Sequence, residues 1–104
     1  MSTQSDTEVF QLTEEYKAIE AQWHIYKEEF DTLVETYQDE NGTIPDDSMV
    51  EVIVLNPGRV RRTKVFTQAL LSSLQLHMNI IDQRKVELDT MIIYANDAVE
   101  YTKP

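Results

Sequence analysis

Large apolar residues in the N-terminal part of the chain fall at Val9, Leu12, Tyr16, Ile19, Trp23, Tyr26, Phe30, Leu33 and Tyr37, alternately three and four positions apart. That spacing returns each side chain to one side of a helix, with the period of a coiled-coil seam. The positions between are mostly Glu, Asp, Lys, Gln and Thr. Ser5 and Glu8 stand at capping-box spacing, which places a helix start near Asp6. Gly42 is the natural stop, because glycine accepts the left-handed conformation that ends helices. The expected helix covers about residues 6–40, roughly 50 Å at 1.5 Å per residue. Five of the nine seam residues are aromatic. Such rings fit poorly in a simple two-stranded zipper and suit packing against a different helix or a sheet. Tyr16, Trp23, Tyr26 and Phe30 are the candidate seam contacts on this helix.

A second seam runs through Leu71, Leu74, Met78, Ile81, Lys85, Leu88, Ile92, Ala95 and Val99 with the same alternation. Two seams of equal length joined by a short middle predict a mainly α chain. The expected fold is an antiparallel two-helix coiled-coil hairpin with a small β-hairpin between the helices, in a single domain over residues 1–104. With the seam ends aligned, Val9 meets Val99, Tyr37 meets Leu71, and Trp23 meets Lys85. A lysine stem can lie along an indole with its ammonium near the ring. Leu74, Ile81, Lys85 and Leu88 are the seam candidates on the second helix. Leu70, Leu76, Ile80, Met91, Ile93, Tyr94 and Ala98 widen its stripe beyond one seam. One neighbouring helix cannot cover that width, and a large exposed apolar patch marks an interface. Leu70, Leu76, Ile80, Met91 and Tyr94 are therefore candidate assembly contacts. The expected partner is protein, either further copies of this chain or a larger complex.

Between the seams, residues 49–55 read MVEVIVL, a strand composition. Asn56-Pro57-Gly58 follows, and Pro then Gly suits the two central positions of a type II turn. Residues 59–65, RVRRTKV, return as a second strand. Arg61, Arg62 and Lys64 would be unfavourable in the first turn of a helix, whose dipole is positive there. The expected division is loop 41–48, β-hairpin about 49–64 and helix about 65–101. A lone two-stranded hairpin is marginal in water, so it must pack on the helices or pair with other copies. Arg59, Arg61, Arg62 and Lys64 form a basic cluster, read either as a phosphate site or as salt-bridge partners of the acidic first helix. No aromatic is interleaved with them to stack on bases, which disfavours nucleic acid.

The stretch DENGTIPDD, residues 39–47, resembles the middle of a calcium loop. Gly42 at the sixth position puts Asp39 at the third, Asn41 at the fifth and Ile44 at the eighth. Tyr37 then holds the first ligand position and Ser48 the twelfth, so two of the main oxygen ligands are missing. A bend between elements is the expected role. His24 and His77 have no second ligand at metal spacing, and Ser72 and Ser73 lack nucleophile-elbow glycines. The glycines number 2 and the cysteines 0. No enzyme, metal or cofactor is expected.

Residues 1–48 carry 13 acidic residues against 2 lysines, and residues 49–104 carry 6 against 7 basic ones. The acidic half repels nucleic acid. No apolar run suits a membrane span and no basic start precedes an apolar signal core. The expected location is soluble, intracellular or virion-associated, with no secretion signal and no membrane partner.

The order long helix, hairpin, long helix resembles the β-type subunit of prefoldin. So does IPDDSMVEVIVL followed by a turn, a basic return strand and a heptad helix. The resemblance implies that Val50, Val52 and Val54 are assembly contacts and that helix tips near Val9 and Val99 touch unfolded clients. Three functions are expected in order. The first is a non-enzymatic structural or adaptor subunit, such as a virion component, that assembles through the apolar helix face and the hairpin. The second is a prefoldin-like holdase. The third is an acidic inhibitor that fills a nucleic-acid channel with Glu14, Glu15, Glu28, Glu29 and Asp31.

Overall fold

Both seams lie on helices. The computed structural model describes the backbone of residues 3–102 and the side chains of residues 6–97. The element order is α1 (Thr3–Tyr37), β1 (Met49–Asn56), β2 (Arg59–Phe66) and α2 (Thr67–Thr102). The helices hold 35 and 36 residues, so the chain is mainly α. It divides into two compact units, Met1–Ile25 with His77–Pro104, and Tyr26–Leu76.

In the first unit, Leu12, Leu88 and Ala95 form a buried cluster, with Val9, Tyr16, Ile19 and Ile92 packed on it. Met78 and Ile81 are also buried. Every described seam position of α2 is buried or half-buried, Lys85 and Ile92 being the half-buried ones. Among the described side chains of α1 only Leu12 is buried, and Val9, Tyr16, Ile19 and Trp23 are half-buried. The aligned-end register of the helices does not hold. Lys85 Nζ lies 5.4 Å from the centre of the Tyr16 ring, one heptad before Trp23. A periodic seam repeats its surface every heptad, so equal seam lengths leave the register open by whole heptads. Here Glu15 and Arg84 settle it with a direct ion pair. The side chains of Ala98 and Val99 lie outside the described residues.

In the second unit, α1 ends at Tyr37, short of the expected residue 40, and Asp39 explains the difference. Its Oδ1 accepts hydrogen bonds from the Asn41 and Thr43 amides at 2.9 and 3.0 Å. The Asp39 amide donates to Thr43 O at 2.8 Å, and the Gly42 amide donates to Asp39 O at 3.0 Å. A short acidic side chain here offers the backbone a competing set of bonds, and the helix yields to them. Gly42 follows with a φ of 78°. The other end differs too. Helix α1 begins at Thr3, so Ser5 lies inside it rather than at its cap. The hairpin pairs from Met49↔Phe66 to Asn56↔Arg59. Gly58 takes a φ of 77°, as the second central residue of a type II turn requires. The hairpin extends through Phe66, so α2 begins at Thr67 rather than near residue 65.

Leu88 has no solvent exposure and Val86 is 66% exposed. Leu88→Ala is expected to destabilise the fold by about 2–5 kcal/mol through lost burial and a residual cavity. Val86→Ala is expected to stay within about 0.5 kcal/mol. Urea unfolding of both variants checks this.

Candidate assembly interface

The hairpin is joined to α2 through one buried rung. Thr67 has no solvent exposure, and its amide donates to Ser48 O at 2.9 Å. The Thr67 and Ser48 hydroxyls share a hydrogen bond of 2.8 Å. A wholly buried hydroxyl needs such a partner, because an unsatisfied one costs its desolvation. Next to it, Gln68 Nε2 donates to Ile44 O at 2.8 Å and to Asp46 Oδ1 at 3.0 Å. These bonds hold the 38–48 loop against the first turn of α2.

The Ser48–Thr67 rung fixes the parity of the ladder. Rungs of an antiparallel pair alternate between those that exchange hydrogen bonds and those that do not. Ser48 and Thr67 are bonded, so Val50/Val65, Val52/Thr63, Val54/Arg61 and Asn56/Arg59 are bonded rungs. The backbone groups of Met49, Glu51, Ile53 and Leu55, and of Val60, Arg62, Lys64 and Phe66, therefore point away from the partner strand. The sheet has two strands in the order β1-β2, so both edges are open among the described residues.

The same parity separates the two faces. Val50, Val52, Val54, Thr63 and Val65 are half-buried. The opposite face carries exposed apolar residues: Met49, Ile53, Phe66, Leu55 at 74% and Val60 at 72%. The prefoldin resemblance points to the valines as contacts, whereas the more exposed apolar residues of the hairpin lie on this other face. The signal was present, because MVEVIVL is apolar at odd and even positions alike. Composition alone does not say which of the two sets is exposed.

The basic cluster is exposed throughout. Arg62 Nη1 lies 3.7 Å from Glu51 Oε1, a contact within the hairpin rather than with an acid of α1. Arg61 sits with the valine face, opposite Val54, whereas Arg62 and Lys64 sit with the other. The four cations therefore do not converge on one point.

On α2, Leu76, Ile80 and Met91 are exposed and Tyr94 is 71% exposed, whereas Leu70 is half-buried. Among the seam candidates, Leu74, Ile81 and Leu88 are buried, and Tyr16, Trp23, Tyr26, Phe30 and Lys85 are half-buried. Trp23 and His24 meet edge to face, with ring centres 5.2 Å apart. Lys27 is 5.6 Å from the Phe30 ring centre and donates to Asp31 at 2.8 Å. Arg84 grips Glu15 with both arms, Nε to Oε2 at 2.8 Å and Nη2 to Oε1 at 3.3 Å, and its Nη1 donates to Glu87 at 3.1 Å.

Among the described residues, no group of three acidic, histidine or cysteine side chains is placed to hold a metal ion. The Asp39 oxygen that a calcium loop would present is occupied by two amide donors. No helix in the described residues is long and apolar enough to cross a membrane. No family model, no curated protein and no solved structure matches the chain.

Two outcomes are expected. Ser48→Ala removes the partner of a buried hydroxyl and should cost about 1–2 kcal/mol in denaturant unfolding. The second concerns pH. The hydrogen bond from Arg84 holds the Glu15 carboxyl below its ordinary value, against a smaller opposing effect of desolvation. A carboxyl whose pKa is lowered on folding adds stability above its ordinary pKa and loses it as pH falls through the lowered one. Glu15→Gln should therefore lower the thermal midpoint slightly at pH 7, the pair being solvent-screened. The gap from the parent chain should close as pH falls below the ordinary carboxylate range of about 4.

Proposed function

We propose that the protein is a non-enzymatic assembly subunit, a helical scaffold that docks through apolar surface on its hairpin and on α2. The observation that carries this reading is the exposed odd face of β1 with its β2 counterpart, Met49, Ile53, Leu55, Val60 and Phe66. A second set on α2, Ile80, Met91, Ile93 and Tyr94, adds to it. Isolated exposed apolar residues are ordinary, but clustered ones mark contact surfaces. A two-stranded sheet with both edges open is also below the strand number that is stable alone in water.

Within the unit of residues 1–25 and 77–104, we infer that the helices pair as an antiparallel coiled coil. The joint cluster of Val9, Leu12, Leu88, Ile92 and Ala95 and the Glu15–Arg84 pair support this.

A prefoldin-like holdase is the second reading. Phe10 at 63% exposure and Ile25 on α1 favour it, as apolar side chains offered to an unfolded client. It requires suppression of client aggregation without ATP. The acidic-inhibitor reading ranks lower. Of its proposed contacts, Glu15 is held by Arg84, Asp31 by Lys27 and Glu14 by Lys17 at 3.6 Å.

Sedimentation equilibrium over a range of concentration and salt tests the assembly reading. A discrete oligomer that persists at about 1 M salt, where the Debye length is roughly 3 Å, is expected of apolar contact. A folded monomer at all concentrations would contradict self-assembly.

A further inference from the structure

We propose that the outer edge of β1 pairs with the same edge of a second copy of this chain. Two hairpins then join across a two-fold axis into a four-stranded antiparallel sheet, β2-β1-β1-β2. This rests on the assembly reading above and names its contact. The geometry begins with the backbone. Met49, Glu51, Ile53 and Leu55 aim their amide and carbonyl groups away from β2, as the bonded Ser48–Thr67 rung requires. An open row of this kind is a template for strand addition.

The two edges of the sheet are not equivalent. Natural edges are blunted by charge, lysine above all. The outward residues of β2 are Val60, Arg62, Lys64 and Phe66, and Arg59 and Arg61 lie beside them. A second β2 would set cations against cations. The outward residues of β1 include only Glu51 as a charge, and Met49, Ile53 and Leu55 are exposed and apolar. The unprotected edge is therefore β1.

The occupant follows from self-complementarity. A strand that pairs antiparallel with its own copy about a two-fold axis sets odd positions against odd positions, all on one face. Centring the axis on Glu51 would oppose two carboxylates, which is destabilising. Centring it on Ile53 sets Ile53 against Ile53 and Glu51 against Leu55, and keeps the carboxylates apart. The exposed apolar residues of both copies then share one face of a four-stranded sheet. That passes the three strands with an apolar face that independent stability needs. A closed two-fold also consumes the open edge of both copies at once.

The chain has no cysteine, so introduced thiols report without background. An antiparallel hydrogen-bonded pair has Cα atoms about 5.5 Å apart, inside the disulfide range of about 4.4–6.8 Å. Ile53→Cys is expected to give a covalent dimer under oxidised glutathione, and Arg62→Cys is not. A dimer from Val52→Cys instead supports the same pairing with its axis moved by one residue. Ile53→Pro removes an outward amide and no bond within the hairpin, a position where proline is tolerated. It is expected to weaken association by at least about tenfold in sedimentation while helicity is kept. If Ile53→Pro proves unfolded, the cysteine variants decide alone. An oligomer without cross-linking at residue 52 or 53 would overturn this pairing and leave assembly through another surface. So would cross-linking found only when Ile53→Cys and Arg62→Cys chains are mixed, which would show β1 meeting β2. A monomeric parent chain would remove the assembly reading itself.

Discussion

Thr67 stands where strand becomes helix, and its burial makes the hydrogen bonds to Ser48 a strict requirement. Ladder rungs alternate, so this single bonded rung dictates the state of every other rung between β1 and β2. It decides which backbone groups turn outward. The valines of β1 become the half-buried set, and Met49, Ile53 and Leu55 the exposed one. A slip of one residue would reverse both assignments. Gln68 and the Asp39-centred loop reinforce the junction from the side, through bonds to Ile44, Asp46, Asn41 and Thr43.

The helices obey a different constraint. A seam with a three-four period can be covered by one neighbour, and the residues outside it cannot. On α2 the described seam positions are buried or half-buried while Ile80, Val86, Met91, Ile93 and Tyr94 stay exposed. The hairpin likewise has two open edges and no third strand among the described residues. Both features make sense if further burial comes from another molecule.

Most of the architecture was legible in the residues, because periodicity reports directly on which side of an element is apolar. The alternation from Leu71 to Ala95 matches the buried side of α2 position by position. Asn56-Pro57-Gly58 announced the turn. Features that depend on a choice between equivalent patterns were not legible. A heptad seam looks the same after a shift of seven, so aligned seam ends place Lys85 opposite Trp23, whereas it stands over Tyr16. MVEVIVL is apolar at odd and even positions alike, so its composition does not say that Met49, Ile53 and Leu55 are the exposed set. The helix end was misplaced because Gly42 is a strong stop signal, while the earlier stop comes from the Asp39 side chain bonding back to the loop. For the helix register and the helix end a single polar contact, Glu15–Arg84 or Asp39 with its two amides, decides what apolar pattern leaves open.

The central claim is that part of the surface of this fold is completed by another copy. The most direct measurement is the thermal unfolding midpoint as a function of protein concentration. An assembly held by apolar contact is stabilised by mass action. Its midpoint should rise steadily as concentration increases over about two decades, and the rise should survive added salt. A midpoint independent of concentration, with a single cooperative transition, would mean that the chain is complete as a monomer and would contradict the account.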